Sequence, residues 1–228
     1  MRLIVDKTLD EKVKGITVAS ALIEDVTIRQ VDNKILAGIE EKLKNIVSLR
    51  FKDPDTLISS ENIVRYQAFF RDILKLNLIN IKPANEVYGT AIFTGLRIES
   101  GKLPASLVNY ISGAVGLPVF IFDKDKLDGD IILKYASGGE FFNSDTIGDI
   151  TLEEKDIIFQ DDKKPFFLYP YAASKNVQVD LNSKNVFISV CGVPGVSGID
   201  LLWALKLTVK LFNKIFKGKA KPVFQENT

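Results

Sequence analysis

The chain has 228 residues, 46% hydrophobic and 26% charged, with 30 Lys and Arg against 29 Asp and Glu. This is the composition of a soluble globular protein with a sizeable core, and a formal charge of +1 argues against a uniform phosphate-binding surface. With no histidine and one cysteine, Cys191, the sequence excludes Ser-His-Asp and Cys-His nucleophilic sites, His- or Cys-rich zinc sites and an internal disulfide.

No apolar run reaches the roughly eighteen residues of a membrane span, and the acidic residues near the N-terminus do not fit a signal peptide, so a cytoplasmic protein without a membrane partner is expected. Neither a GxxxxGK[ST] loop nor a GxGxxG after a strand is present, which argues against nucleotide phosphoryl and hydride chemistry; no cofactor and no metal are expected. Catalysis must then rest on carboxylates, lysines, hydroxyls, backbone amides or groups of the substrate. No Pro/Gly/Ser-rich linker divides the chain. One compact domain is expected over residues 1–217, with N-terminal strands and a helix in 1–60, a motif-bearing core in 61–217 and a flexible tail in 218–228.

In chain order, residues 2–5 and 16–24 read as strands that pair, with Gly15 at the turn before the second. From Asp32 to Val47 the apolar residues Ile35, Leu36, Ile39, Leu43, Ile46 and Val47 recur at helical spacing, with Asp32 or Asn33 as N-cap. Residues 51–59 are polar, contain Pro54 and read as a loop. A helix over about 60–76 carries Arg65 and Arg71 among Tyr66, Phe69 and Phe70, either snorkelling from an aromatic core or offered to an anion. Lys82 to Glu86 turns into a third helix that ends before Gly95.

The stretch Leu103–Glu140 reads as helix, buried strand, polar hairpin and strand. Pro104 opens the helix, Leu107, Ile111 and Val115 share a face, and the helix stops near Gly116. Val119 to Phe122 is a short apolar run suited to a covered strand, and Asp128-Gly129 is a hairpin signal before Ile131 to Leu133. Beyond it, FFNSDTIGDI is turn-rich, residues 156–160 are a strand, and KKPFFLYPYAAS either lines a pocket or packs as a strand edge. Residues 185–191 are a buried strand whose apolar neighbours mark Cys191 as a buried thiol. Ser197 is the expected N-cap of the last helix, with Asp200 completing a weak capping box. That helix is apolar over most of its circumference through Phe216, fitting burial against a sheet or in a homodimer. Its one charged stripe, Lys206, Lys210 and Lys214 continued by Lys217, is either a solvated face or a phosphate-binding row.

The ordered set RYQAFFRDILKLN, IKPANEVY, LPASLVNYISGAVGLPVFIFDKDKLDGDIILKYASGGE, LEEKDIIFQDD and KNVFISVCGVPGVSGIDLLWAL resembles the tRNA-binding and editing B3/B4 module of the phenylalanyl-tRNA synthetase beta subunit, and in particular the freestanding proteins built from it. The similarity runs from about Arg65 to about Leu211. It implies an α+β fold, a central mixed sheet flanked by helices with a pocket beside it, and as activity the hydrolysis of mischarged aminoacyl-tRNA by positioned water rather than a covalent nucleophile. The family's helix asparagine falls on Asn109, which the resemblance casts in water or ribose positioning. The family's strand histidine falls on Phe120, its tyrosine-reading glutamate on Ser189, and a glycine of its aromatic loop near Ala173. After Tyr169-Pro170-Tyr171 the chain has Ala172-Ala173-Ser174-Lys175 where freestanding relatives often carry Arg-Asp-Ser-Asp. These departures point away from tyrosine as the amino acid read, while Tyr171, Ser174 and Ser189 remain expected around the pocket. The partner implied is tRNA or aminoacyl-tRNA, taken by a monomer or homodimer. Two functions are compatible with these residues: a deacylase acting in trans, or a non-catalytic module for RNA or a small amino-acid-like ligand.

Overall fold

Seven consecutive residues, Val186–Gly192, are all buried in the computed structural model, which describes residues 1–227. They form the central strand around which the other elements are ordered. In chain order these are β1 (Leu3–Val5), α1 (Lys7–Lys12), β2 (Thr17–Glu24), α2 (Asn33–Arg50), α3 (Pro54–Ile58) and α4 (Glu61–Ala68), which runs on into a π-helical turn over Phe69–Ile73. Then come α5 (Ala84–Phe93), α6 (Ala105–Val115), β3 (Val119–Asp123), β4 (Ile131–Tyr135), β5 (Phe141–Ser144), β6 (Gly148–Thr151), β7 (Ile157–Gln160), β8 (Pro165–Leu168) and β9 (Ala172–Ala173). The chain closes with the central strand itself, β10 (Val186–Gly192), followed by α7 (Gly198–Phe216), β11 (Lys219–Val223) and β12 (Gln225–Asn227).

The fold is of the mixed α+β class, with its strands divided between two main sheets. One is antiparallel, in the order β11-β2-β10-β3. The other runs β12-β1-β4-β7-β8-β9, with β1 parallel to both neighbours and the remaining pairs antiparallel; β5 and β6 form a separate hairpin. Phe122 on β3 joins the layers, its ring centroid 5.2 Å from those of Phe166 and Phe167 on β8. Such edge-to-face pairs add about 0.5–1.5 kcal/mol each beyond the area they bury. α7 packs over β2 and β10, which is where most of its apolar circumference goes.

Local chemistry fixes several ends as the sequence suggests. Asp32 caps α2 by accepting from Lys34 N at 2.8 Å, and α6 ends at Gly116 in the left-handed region, φ 69°. Elsewhere the outcome differs. Pro54 begins a short helix, because Asp53 and Thr56 form a reciprocal capping box around it. Ser197 does cap α7, accepting from Ile199 N at 3.2 Å, but Asp200 does not return the bond. The turn-rich FFNSDTIGDI closes into the β5–β6 hairpin.

The expected pairing of the first two strands does not occur. β1 lies between β12 and β4, whereas β2 lies between β10 and β11. α1 separates them, capped by Asp6, which accepts from Thr8 N at 2.9 Å. Gly129, at φ 66°, makes a tight turn, but the strands on its two sides belong to different sheets, so Asp128-Gly129 carries the chain between layers and is not a hairpin tip. Of the expected flexible tail 218–228, Lys219–Val223 and Gln225–Asn227 are instead paired strands and Thr228 lies outside the described residues: Ala220 lies opposite Ile23, and Leu3 opposite Gln225, while Gln225 Oε1 accepts from Val18 N at 2.8 Å. A strand whose hydrogen-bond partners lie some two hundred positions away carries no local signal of them.

Candidate functional site

α5 and α6 cross closely enough that a Cβ on Gly113 would stand 2.5 Å from the Tyr88 carbonyl carbon and 2.6 Å from Gly89 N. Asn85, fully buried, ties the crossing by donating to Gly116 O at 2.9 Å. This helix pair is one wall of a cleft of about 580 Å³. Ala84, Val87 and Tyr88 come from α5, Ala105, Val108 and Asn109 from α6, and Val119, Phe120 and Ile121 from β3. Tyr171, Ala173 and the β5–β6 turn at Asp145 and Thr146 close the far side, with Lys82, Lys102, Gln178 and Val179 at its edges.

The rim is held by a chain of side-chain hydrogen bonds, partly exposed and partly anchored on the buried Ser174 and Asp123. Ser174 donates from its hydroxyl to Asn143 Oδ1 at 3.0 Å and accepts from Asn176 N at 3.2 Å, linking β5 to the segment after β9. Gln178 donates to Asp145 Oδ2 at 2.6 Å, and Lys126 donates to Gln178 O at 2.7 Å. Lys126 is itself fixed by Asp180 and by the buried Asp123, which also accepts from the Ser183 hydroxyl at 2.6 Å and from Asp125 N at 3.0 Å.

Charges at the cleft are already matched. Lys82 pairs with the buried Glu86 at 3.0 Å, which also accepts from Gln67 at 2.9 Å, and Lys102 pairs with Glu99 at 2.8 Å. The Tyr171 and Tyr88 hydroxyls have pKa values raised by burial, with Asp156 adding to the effect at Tyr171, so both stay neutral donors. Asn109 is different. It sits in mid-helix, half-buried, and among the described residues its side-chain amide has no hydrogen-bond partner.

The structure thus brings together four of the residues named from sequence, Asn109, Phe120, Tyr171 and Ala173. Ser174 and Ser189 lie outside the lining. Ser174 is the rim tie just described. Ser189 is fully buried opposite Phe120 on the paired strand, with its hydroxyl 3.6 Å from Cys191 Sγ. The Phe120 ring packs 4.5 Å from that of Phe167. Cys191 is buried, and burial raises its thiol pKa to about 12, which makes it inert as a nucleophile. Arg65 is spent on Glu61 and Arg71 on Asp72. Lys206, Lys210, Lys214 and Lys217 are exposed on α7 and at its end, away from the cleft lining. Sequence reasoning missed Tyr88, Lys82, Lys102, Asp145, Thr146 and Gln178, which reach the cleft from four separate segments with no shared motif.

Among the described residues no three His, Cys, Asp or Glu stand together as metal ligands would, and no helix is long and apolar enough to cross a membrane.

Residues 103–201, which supply most of the lining of this cleft, match the B3/4 domain. The relatives narrow it further. The chain is similar to the phenylalanine–tRNA ligase beta subunit of Buchnera aphidicola subsp. Acyrthosiphon pisum, 26% identical over 176 residues, covering 77% of this chain and 20% of the relative. It is also similar to that of Fusobacterium nucleatum, 27% identical over 84 residues, covering 37% of this chain and 10% of the relative. The chain therefore spans a fifth or less of the length of these relatives. In fold it matches an N-terminal fragment of the phenylalanyl-tRNA synthetase beta subunit from Pyrococcus horikoshii, with a TM-score of 0.52 and 16% identity, over 100% of this chain and 52% of that one. The chain is thus related to the phenylalanyl-tRNA synthetase beta subunit through its B3/4 region.

Proposed function

We propose that the chain binds the aminoacyl end of a tRNA in the cleft and hydrolyses a mischarged ester in trans. The observation that carries this reading is the unpartnered Asn109 amide, held in mid-helix on the cleft wall where asparagine is a poor helix former. In this role the amide orients the attacking water or a ribose hydroxyl. Water oxygen bonds to the ester carbonyl carbon, the carbon–oxygen bond to the ribose breaks, and the leaving ribose oxygen takes a proton.

The lysines of the lining are ion-paired and its tyrosines neutral, which leaves neither suited to covalent catalysis. The vicinal hydroxyl of the substrate's own ribose is then the nearest proton carrier. Val108, Val119, Phe120 and Ala173 receive an apolar amino-acid side chain, and the lysine row on α7 takes RNA phosphates.

The test is release of amino acid from a panel of mischarged tRNAs. The reading requires hydrolysis above the spontaneous rate for at least one pair and its loss in Asn109→Ala. A second reading, a non-catalytic binder of RNA or an amino-acid-like ligand, is favoured by the absence of any unpaired charged group in the cleft lining among the described residues apart from side chains that loops already use. Tight tRNA binding with no hydrolysis for any pair would select it.

A further inference from the structure

Helix α7 presents one face to solvent, and that face is not uniform. Ile199, Trp203, Lys206, Lys210, Lys214 and Lys217 fall on it at steps of three and four residues, all exposed. Successive lysines at 206, 210 and 214 are about 6 Å apart along the axis, close to the separation of adjacent phosphates in an extended strand. Among the described residues none of Lys206, Lys210, Lys214 and Lys217 has a carboxylate partner, in contrast to Lys219 and Lys221 just beyond, which pair with Asp25 and Glu24.

At the head of the row is a small pocket of about 250 Å³ lined by Arg50, Val115, Leu117, Asp200 and Trp203. The Arg50 guanidinium stands 5.2 Å from the Phe51 ring centre and 6.0 Å from that of Trp203, and it donates to Val115 O at 2.7 Å. Partial burial lowers its pKa and nearby Asp200 opposes that shift, yet the two do not close into an ion pair. The pocket therefore offers an indole face, free guanidinium N–H donors and a free carboxylate acceptor around one space.

We propose that this pocket holds an unpaired purine of a single-stranded RNA, stacked on Trp203, whose phosphates run along Lys206, Lys210 and Lys214. Guanine suits it best, since an arginine recognises its O6 and N7 while a carboxylate accepts from its amino and imino N–H groups. An anionic lipid surface suits it less well. It has no use for Asp200, and most of the apolar circumference of α7 is turned into the protein. The site is separate from the cleft and requires no aminoacyl ester.

Trp203 is the only tryptophan of the chain, so its fluorescence reads the site directly. The experiment titrates the full chain with the unlabelled hexaribonucleotides UUGUUU and UUUUUU, following tryptophan emission, and with fluorescein-labelled copies, following anisotropy. Expected are quenching that saturates with binding, tighter binding of the guanine-containing hexamer, and a loss of that preference in Asp200→Asn. Trp203→Ala should weaken binding roughly tenfold or more, and changing the three lysines to alanine should lower the salt dependence by about two in log–log slope. Anisotropy that reports binding without any change in tryptophan emission would overturn the proposal. So would absence of binding by either hexamer, or capture by phosphatidylserine vesicles with none by RNA. Because the hexamers carry no ester, these results stand apart from success or failure of deacylation.

Discussion

The cleft and the outer face of α7 use charge in opposite ways. At the cleft, Lys82 and Lys102 are committed to Glu86 and Glu99 and Asp145 to Gln178, and the polar groups left free are neutral, among them the Asn109 amide and the Tyr88 and Tyr171 hydroxyls. On α7 the cations have no partners and lie open to solvent. Recognition in the cleft thus depends on shape and neutral hydrogen bonds and responds weakly to salt, whereas anything held by α7 is governed by counterion release and responds strongly. On the proposed function, holding a long polyanion and reading its reactive end would fall to these two separate surfaces.

The comparison breaks most completely at the helix crossing that shapes the cleft. Gly113→Val places side-chain atoms where the Tyr88 and Gly89 backbone already stands, and neither helix can retreat without opening the Asn85–Gly116 bond. Overpacking of this kind costs about 1–3 kcal/mol or more, so a melting temperature lower by about 5 °C or more is expected for a chain of this size. Tyr88 and Asn109 should separate and cleft-dependent activity should go, while hexamer binding at α7 persists at temperatures where the variant is folded.

Next in size is the converse change. Replacing Lys206, Lys210 and Lys214 with alanine should weaken tRNA binding at low salt by about tenfold or more and leave the melting temperature within a degree or two, because exposed lysines without partners contribute little to folding. A fall in stability instead would mean that the row is structural.

Alkaline pH separates the interior from the surface. Burial raises Tyr110 on α6 and Cys191 on β10 to pKa values of about 12, from ordinary values of 10.0 and 9.0. Both groups are neutral when protonated and resist ionisation in the folded state, so the stability linked to them is complete below pH 9 and is lost as pH rises from there towards 12. Melts between pH 7 and 11 should show a plateau followed by a decline. Under native conditions near pH 8 a thiol reagent should find Cys191 unreactive, and in denaturant it should titrate one thiol per chain.

A smaller effect is expected at the rim. Ser174→Ala removes the bonds to Asn143 and Asn176 and should cost about 1 kcal/mol, read as a modest drop in melting temperature with a raised KM. A change in kcat alone would assign Ser174 a direct part in the chemistry, contrary to its position outside the lining.

How much of this was legible in the sequence follows the range of the forces involved. Asp32, Gly116 and Ser197 act on backbone groups a few residues away, and the helix ends they set could be read from the chain. The apolar run of β10 announced a buried strand for the same local reason. Strand partners could not be read, since β1 and β2 are close in sequence yet enter different sheets, and β11 and β12 pair with segments at the opposite end of the chain. Pro54 misled because its helix is defined by the Asp53–Thr56 exchange and not by periodicity. For the cleft, Asn109, Phe120, Tyr171 and Ala173 came through an ordered resemblance. Ser189 shows the limit of that route: the position carries over, but its side chain is fully buried on the strand paired with Phe120, a burial that sequence alone does not reveal.

The most direct test of the account is Asn109→Ala, measured for melting temperature and for tRNA affinity and ester release on the same preparation. Alanine is the better helix former by about half a kcal/mol, and the amide it replaces has no partner within the described residues. The account predicts an unchanged or slightly higher melting temperature together with a loss of tenfold or more in ligand handling. A large drop in melting temperature with affinity and ester release unchanged would contradict it and make Asn109 a scaffold residue.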